Sequence, residues 1–194
     1  MTQRLSVHFE KKEPFLEKYL QSWRHRKIVS LVPANAKLLD LGCGYRGKFL
    51  EKIKDNISSG VGIDIAVDSR LSNGKIRLMA HDLNESLPFP DNEFDAVASL
   101  ANLEHLAEPG RALKEIFRVL KPNGILLLTA PSVFAKPVLE LLAFVGLVSR
   151  QEIRDHKNYF DKKILTSLCQ KAGFSSVSHK YFQLGMNNFL IATK

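Results

Sequence analysis

Asp40, Gly42, Gly44, Gly47 and Asp64 are the residues of this 194-residue chain whose types and spacing point most directly to chemistry. The apolar run Leu38 to Leu41 ends in glycines at 42, 44 and 47, and a helical pattern follows in Phe49, Leu50, Ile53 and Ile57. That order reads as strand, tight turn, helix. Glycines in such a turn permit backbone angles that other residues avoid, and they let a ligand lie against the main chain. The N–H groups that open the helix then face that ligand. On spacing alone, Gly42, Gly44 and Gly47 fit G-x-G-x-x-G, a dinucleotide-binding fingerprint. Asp40 argues otherwise. It stands two residues before the first glycine, where its carboxylate would repel a pyrophosphate and favour a ligand with a cationic end. Asp64 ends the next strand, Val61–Ile65. A carboxylate at that tip can accept both hydroxyls of a ribose. Nicotinamide dinucleotide sites share this feature, so Asp64 does not separate the two ligand classes.

The elements that must position these residues alternate along the chain. Residues 14–32 have helical apolar spacing, with Pro14 in the first turn and Pro33 past the end. Strand one is read at 37–41, its helix at 47–55, strand two at 60–65 and strand three at 75–80. Asp68, Ser69, Ser72, Asn73 and Gly74 make the link 65–74 a short stub instead of a helix. Residues 81–93 lack regular structure. Strand four, Phe94 to Leu100, is an almost continuous apolar run, as in a sheet buried on both faces. A helix over 109–120, a turn at Lys121–Gly124 and strand five at Ile125–Ala130 follow. The apolar segment 137–149 reads as an inserted helix. A last helix, 161–172, stops at Gly173. Strands near 174–182 and 188–193 close the chain around a turn at Gly185–Asn188. The expected fold is α/β: a Rossmann-like three-layer sandwich on a mostly parallel seven-stranded sheet, with one antiparallel strand near the C-terminus. It is read as one domain: a helical cap over 1–35, a cofactor-binding core over 36–130, a substrate-side insertion over 131–160, and a C-terminal helix and hairpin over 161–194.

Five segments carry a family resemblance. They are Leu-Leu-Asp-Leu-Gly-Cys-Gly (38–44), Gly-Ile-Asp (62–64), the stretch His81–Asp95, Asn-Leu-Glu-His-Leu (102–106) and Glu-Ile-Phe-Arg-Val-Leu-Lys-Pro-Asn-Gly (115–124). In this order, over roughly residues 36–130, they resemble the class I S-adenosylmethionine-dependent methyltransferases, within them the broad group related to the ubiquinone/menaquinone biosynthesis methyltransferases. The resemblance implies S-adenosylmethionine as cofactor, which has a cationic ammonium and sulfonium and no phosphate. Asp40, Gly42 and Gly44 would hold its methionine end and Asp64 its ribose. Asp82 would accept the adenine amino group, Leu83 would cover the ring, and the backbone around Leu100 would line the methyl-transfer position. Each has a plainer reading as a turn or capping residue. Two departures stand out. Arg46 takes the place of the family's third glycine, with Gly47 after it, which leaves the roles of Tyr45 and Arg46 open. The link after strand two is also short.

His105, just past strand four, is the candidate catalytic base, since histidine exchanges protons near neutral pH. Against it stands a structural role for the Glu-His pair. His156, Tyr159 and Phe160 follow the apolar insertion and could reach the acceptor, although positioning and packing suit them better. His81 reads as structural. No metal site is expected. An Asn/Asp-Pro-Pro-Tyr motif is absent after strand four, where the chain reads Ser-Leu-Ala-Asn, and no cysteine stands there as a nucleophile. That argues against the familiar adenine-N and cytosine-C5 chemistries.

Composition bounds the remaining classes. Apolar content of 45% and charged content of 25% are ordinary for a globular chain. No apolar run reaches the about 20 residues that cross a bilayer. The N-terminus has no signal-peptide core, and two cysteines suggest no disulfide framework. A reducing, cytoplasmic setting follows as an expectation. The net charge of +8 is uneven: residues 1–30 carry seven Lys/Arg against three Asp/Glu, or +4, residues 31–149 thirteen against fourteen, or −1, and residues 150–194 eight against three, or +5. Basic flanks could attract an anionic acceptor, nucleic acid or a membrane, or only keep the protein dissolved. The expected function is methyl transfer by in-line displacement to a small-molecule or lipid-like acceptor. Peripheral membrane contact would run through 137–149; burial or a dimer contact is the plainer account of that segment. The alternatives are an RNA-modifying methyltransferase, an NAD(P)-dependent oxidoreductase and a non-catalytic partner subunit with the same fold.

Overall fold

Strands β1 (Lys37–Leu41), β2 (Ser59–Asp64), β3 (Ile76–Ala80), β4 (Phe94–Leu100), β5 (Leu120–Pro131), β6 (Ser176–Phe182) and β7 (Asn187–Thr193) form one sheet in the order β3-β2-β1-β4-β5-β7-β6. The computed structural model describes residues 15–194, so Pro14 and the rest of the N-terminal stretch lie outside the described residues. β7 runs antiparallel to both β5 and β6, and every other neighbouring pair is parallel. The single antiparallel strand expected near the C-terminus is therefore β7.

The apolar runs are continuous because both faces of the sheet are covered. Side chains alternate along each strand, so Leu38, Ala96 and Leu127 enter one layer while their neighbours Leu39, Val97 and Leu126 enter the other. The first layer is closed by helices α1 (Phe15–Val29) and α2 (Lys48–Ile53), through Ile28, Phe49, Leu50 and Ile53. The second is closed by α3 (Pro109–Val119), through Leu113, Ile116 and Val119, and by a C-terminal helix, Lys162–Ala172, through Leu165 and Cys169. Two shorter helices, α4 (Ala135–Phe144) and α5 (Arg150–Arg154), lie between β5 and the C-terminal helix, which is α6.

The chain lays β2 and β3 to one side of β1, then returns to place β4 on the other side. Ligands gather at the carboxyl ends of the strands where the order reverses in this way. Asp40 sits at that point, paired across the sheet with Gly62 and Ala98.

Four local expectations change. The segment Lys121–Gly124 is not a free turn but an irregular start to β5. Asn123 takes φ 63, the register against β4 shifts between Phe94 and Ala96, and the Asn123 N–H donates to the Lys194 carbonyl while the Lys194 N–H donates to the Gly124 carbonyl. The N-terminal helix stops at Val29, and residues 30–32 turn before Pro33. The inserted helix begins at Ala135 and ends at Phe144, because Gly146 breaks it with φ 78. The hairpin turn falls earlier, at Gln183, Leu184 and Gly185, all with positive φ. Asn187 and Asn188 belong to β7, where buried Asn188 donates to the carbonyls of Ala130 at 3.2 Å and Phe160 at 2.9 Å. The link after β2 is a stub with one 3-10 turn, Ser69–Leu71.

Candidate active site

The glycine turn is anchored to the end of β2. The N–H groups of Gly42 and Cys43 both donate to the Ile63 carbonyl, at 2.9 and 3.2 Å. The Gly44 N–H donates to Asp64 Oδ2 at 2.9 Å, and the Ile65 N–H to Asp64 Oδ1 at 2.7 Å. Asp64 therefore fixes the turn as well as standing at the strand tip. The lengthened part of the loop is also tied down. The Tyr45 carbonyl accepts the Asp68 N–H at 2.8 Å, and Asp68 grips the Arg70 guanidinium at 2.7 and 2.8 Å. Tyr45 thus links the glycine turn to the stub, a role the sequence left open.

Asp40 is 2% exposed, and its Oδ2 meets no hydrogen-bond donor. Burial, and then the negative charge of Asp64, push its carboxyl up to about 8. A carboxyl group this poorly solvated is an incomplete arrangement that a cation would complete.

Across the switch point, the Ala101 N–H donates to the Thr129 carbonyl at 2.9 Å and to Thr129 Oγ1 at 3.1 Å, with Ala101 itself at φ 53. This bend ends β4 just after half-buried Leu100. Ser99 is buried, and its Oγ has no partner. A cavity lined by Leu41, Leu83, Ser99, Asn102, Ala112 and Ile116 lies between the ends of β1 and β4, the loop that carries Leu83 and helix α3. Asp82 is committed to its own turn. Its Oδ1 accepts both the main-chain N–H and the side-chain amide of Asn84, each at 2.9 Å, and these bonds hold its carboxyl below the usual range. Oδ2 carries no such bond and remains for a ligand. His81 contacts the Ser86 carbonyl at 3.0 Å, a structural tie as expected.

His105 lies in the 3-10 turn Leu103–His105, half-buried. Its Nδ1 is 3.3 Å from the Asp155 carbonyl, and its ring centroid is 4.9 Å from that of His156. His156 Nδ1 is 3.2 Å from the Tyr159 hydroxyl. Phe160, grouped with them in the sequence, is packed in the core. Glu104 was not singled out as a separate group, yet it joins them. It is 1% exposed, its Oε2 has no hydrogen-bond partner, and burial pushes its carboxyl up to about 7. Only its place beside His105 could have flagged it, because a buried glutamate leaves no trace in an apolar pattern.

Burial lowers the pKa of His105, of His156 to about 4, and of His25 to about 4. Folded values below the unfolded one mean that acid favours the unfolded chain. Through these imidazoles stability falls as pH drops from about 6.5 towards 4, while Asp40 and Glu104, whose carboxyls are raised, act in the opposite sense over the same range. His156→Gln should remove part of this slope in a pH series of thermal melts.

A family model described as a methyltransferase domain matches residues 39–128. The chain is 30% identical over 190 residues to the ubiquinone/menaquinone biosynthesis C-methyltransferase UbiE of Proteus mirabilis (strain HI4320), covering 81% of this chain and 74% of that one. It is 31% identical over 193 residues to the protein of the same name from Nitrosospira multiformis, covering 85% and 77%. A crystal structure of an S-adenosylmethionine-dependent methyltransferase from Archaeoglobus fulgidus superposes with TM-score 0.70 over 91% of this chain and 94% of that one, at 19% identity. That last likeness is one of fold.

Proposed function

The chain belongs to the class I S-adenosylmethionine-dependent methyltransferases, and on that premise we propose that it methylates a ring carbon of a quinone-type acceptor carried on an apolar tail. It is an enzyme of methyl transfer, and its cofactor is S-adenosylmethionine. That cofactor, when bound, supplies an electrophilic methyl group on a positively charged sulfur.

The residues present fit such a ligand. Asp40 offers a buried, unpartnered carboxyl oxygen, and a side chain added at Gly44 would meet nothing within 4 Å. In our reading Asp40, Gly42 and Gly44 hold the amino-acid end and Asp64 the ribose. The free oxygen of Asp82 and the side chain of Leu83 take the adenine, and the backbone at Leu100 borders the methyl-transfer position. Half-buried His105 is neutral at pH 7, because burial lowers its pKa, so it can accept the proton of a ring hydroxyl. A ring that has lost this proton carries more electron density at the neighbouring carbon. The remaining work of the site is alignment of the two reactants and exclusion of water.

The observation that carries the acceptor class is the apolar face of α4 and the turn after it. Leu141, Phe144, Val145 and Leu147 are 63, 74, 56 and 50% exposed, with Val138 beside them. Burial inside the chain, one half of the plainer expectation of burial or a dimer contact, accounts for Ala143 and Val148 and in part for Leu139 and Leu142. Glu140 on the same helix bears on Tyr159, whose hydroxyl is 3.2 Å from His156 Nδ1. No helix among the described residues is long and apolar enough to cross a membrane. An apolar face of this kind suits a lipid surface or a lipid-tailed substrate. The relatives named for ubiquinone/menaquinone biosynthesis accord with it.

The test supplies labelled S-adenosylmethionine with a short-chain naphthohydroquinone, with the same ring on a long isoprenoid in liposomes, and with cellular RNA. Label on the quinone ring is the expected result. Label on RNA alone, with binding that falls steeply with salt, would favour the reading to which the basic flanks point. The variants Leu141→Asp and Phe144→Asp should each weaken liposome co-sedimentation about tenfold or more, the worth of one apolar side chain. Binding of S-adenosylhomocysteine should be unchanged.

A further inference from the structure

We propose that Glu104, His105 and His156 form a binding site for one divalent transition-metal ion of the zinc class. One ligand atom from each residue lies within 4.8 Å of the others, and this is the one such group of His, Cys, Asp and Glu side chains among the described residues. Two imidazoles and one carboxylate are the donor set that zinc, cobalt, nickel and iron prefer, whereas calcium and magnesium take oxygen alone.

Three features of the surroundings accord with a metal. In both rings Nδ1 is engaged by a protein oxygen: the Asp155 carbonyl for His105 and the Tyr159 hydroxyl for His156. The Asp155 carbonyl can only accept, so it keeps the His105 proton on Nδ1 and leaves Nε2 as the donor, while the Tyr159 hydroxyl orients the His156 ring. Glu104 is buried with Oε2 accepting no hydrogen bond, which a buried carboxylate avoids unless a cation completes it. Its backbone is held in place, since its carbonyl accepts the N–H groups of Lys157 at 2.9 Å and Asn158 at 3.1 Å. Those bonds clamp the turn after β4 to the segment that carries His156. The site is thus built from two parts of the chain some fifty residues apart, which is why the sequence did not display it. Arg24 bears on both Glu104 and His156 and is the cation that competes with a metal there.

Three protein ligands leave coordination positions open. The turn lies beside the crevice, and the Asp64 carboxylate bears on His105. An ion held here would therefore suit an acceptor with a hydroxyl or carbonyl oxygen next to the methylated atom. An ion on His105 would replace the proton-accepting role given to that ring above; the metal site itself does not depend on the quinone reading, and its test uses no acceptor.

The experiment takes tag-free protein, stripped with a chelator, and titrates it with Co2+ and then Zn2+. Calorimetry follows stoichiometry, and the visible spectrum of Co2+ follows nitrogen ligation. One equivalent is expected, with ligand-field bands that Zn2+ abolishes. His105→Gln and His156→Gln should each weaken binding by more than the roughly 10- to 100-fold that follows loss of an outer-shell partner. His179→Gln, on β6, should not change it. Each variant is used only if its melting transition is cooperative and it still binds S-adenosylhomocysteine. If a variant fails that check, protection of the wild-type histidines from diethyl pyrocarbonate by Zn2+ replaces it. No stoichiometric binding by the wild type would overturn the proposal. So would binding that survives His105→Gln/His156→Gln, and so would an absence of histidine protection.

Discussion

Asp40→Asn is expected to weaken S-adenosylmethionine binding by roughly 10- to 100-fold, the loss that follows removal of a hydrogen bond to a charged group. In the ligand-free protein Asp40 is buried, one of its oxygens is unpartnered, and its carboxyl is raised to about 8. At pH 7 it is therefore mostly protonated. An ammonium placed against it favours the carboxylate, so cofactor binding should release close to one proton per ligand. Affinity should rise with pH and level off above about 8. The variant should show neither the proton release nor that pH dependence. Calorimetry in two buffers of different ionisation enthalpy measures the protons directly. The stability of the free protein moves the opposite way. A carboxyl whose folded pKa is raised makes the folded state less stable as pH climbs from its unfolded value of about 4 towards 8. Asp40→Asn should remove that decline and melt no lower than wild type at pH 8. Wild-type affinity in the variant would place the cationic end of the cofactor elsewhere.

The sequence displayed what is local. The Leu38–Gly44 segment could be read as strand and glycine turn because an apolar run, a buried acid and a positive-φ requirement follow one another within seven residues. β4 was legible to the residue, since a strand covered on both faces has no polar alternation to blur its ends. β5 was not. Its first residues, Lys121 to Gly124, have turn chemistry, and only pairing with Lys194 draws them into the sheet. The candidate site divides in the same way. Asp40, the glycines and Asp64 lie on one βαβ unit and could be named together. The neighbourhood of His105 depends on main-chain bonds from Lys157 and Asn158 to Glu104, across a stretch that no short-range pattern spans. The face of α4 shows a different limit. Its residues announced an apolar helix, but whether such a helix is buried or presented depends on what packs against it. Leu141 and Phe144 are presented.

A pair of alanine substitutions in the glycine turn separates folding from binding more sharply than any other change in this chain. Gly42 and Gly44 share a left-handed backbone, φ 75 and 70. Their surroundings differ. A methyl group at Gly42 would lie 2.6 Å from Asn102 Cγ and 2.7 Å from its Cβ, against the base of a side chain that cannot swing clear. Asn102 precedes the turn that carries Glu104 and His105, so the strain passes into that turn. Gly42→Ala combines a left-handed penalty of about 1–2 kcal/mol with an overpacking cost of about 1–3 kcal/mol. At roughly 2–4 °C per kcal/mol for a chain of this size, the melting temperature should fall by about 4–20 °C. Gly44→Ala carries only the backbone penalty, because its methyl group meets nothing within 4 Å. Its melting temperature should fall by only a few degrees, yet its methyl group stands where the crevice must admit the cofactor against the main chain. S-adenosylhomocysteine affinity should then drop about tenfold or more, while the Gly44 N–H still reaches Asp64. Thermal melts with and without ligand measure both quantities in one experiment. Unchanged affinity in Gly44→Ala would mean that the ligand does not lie against this turn.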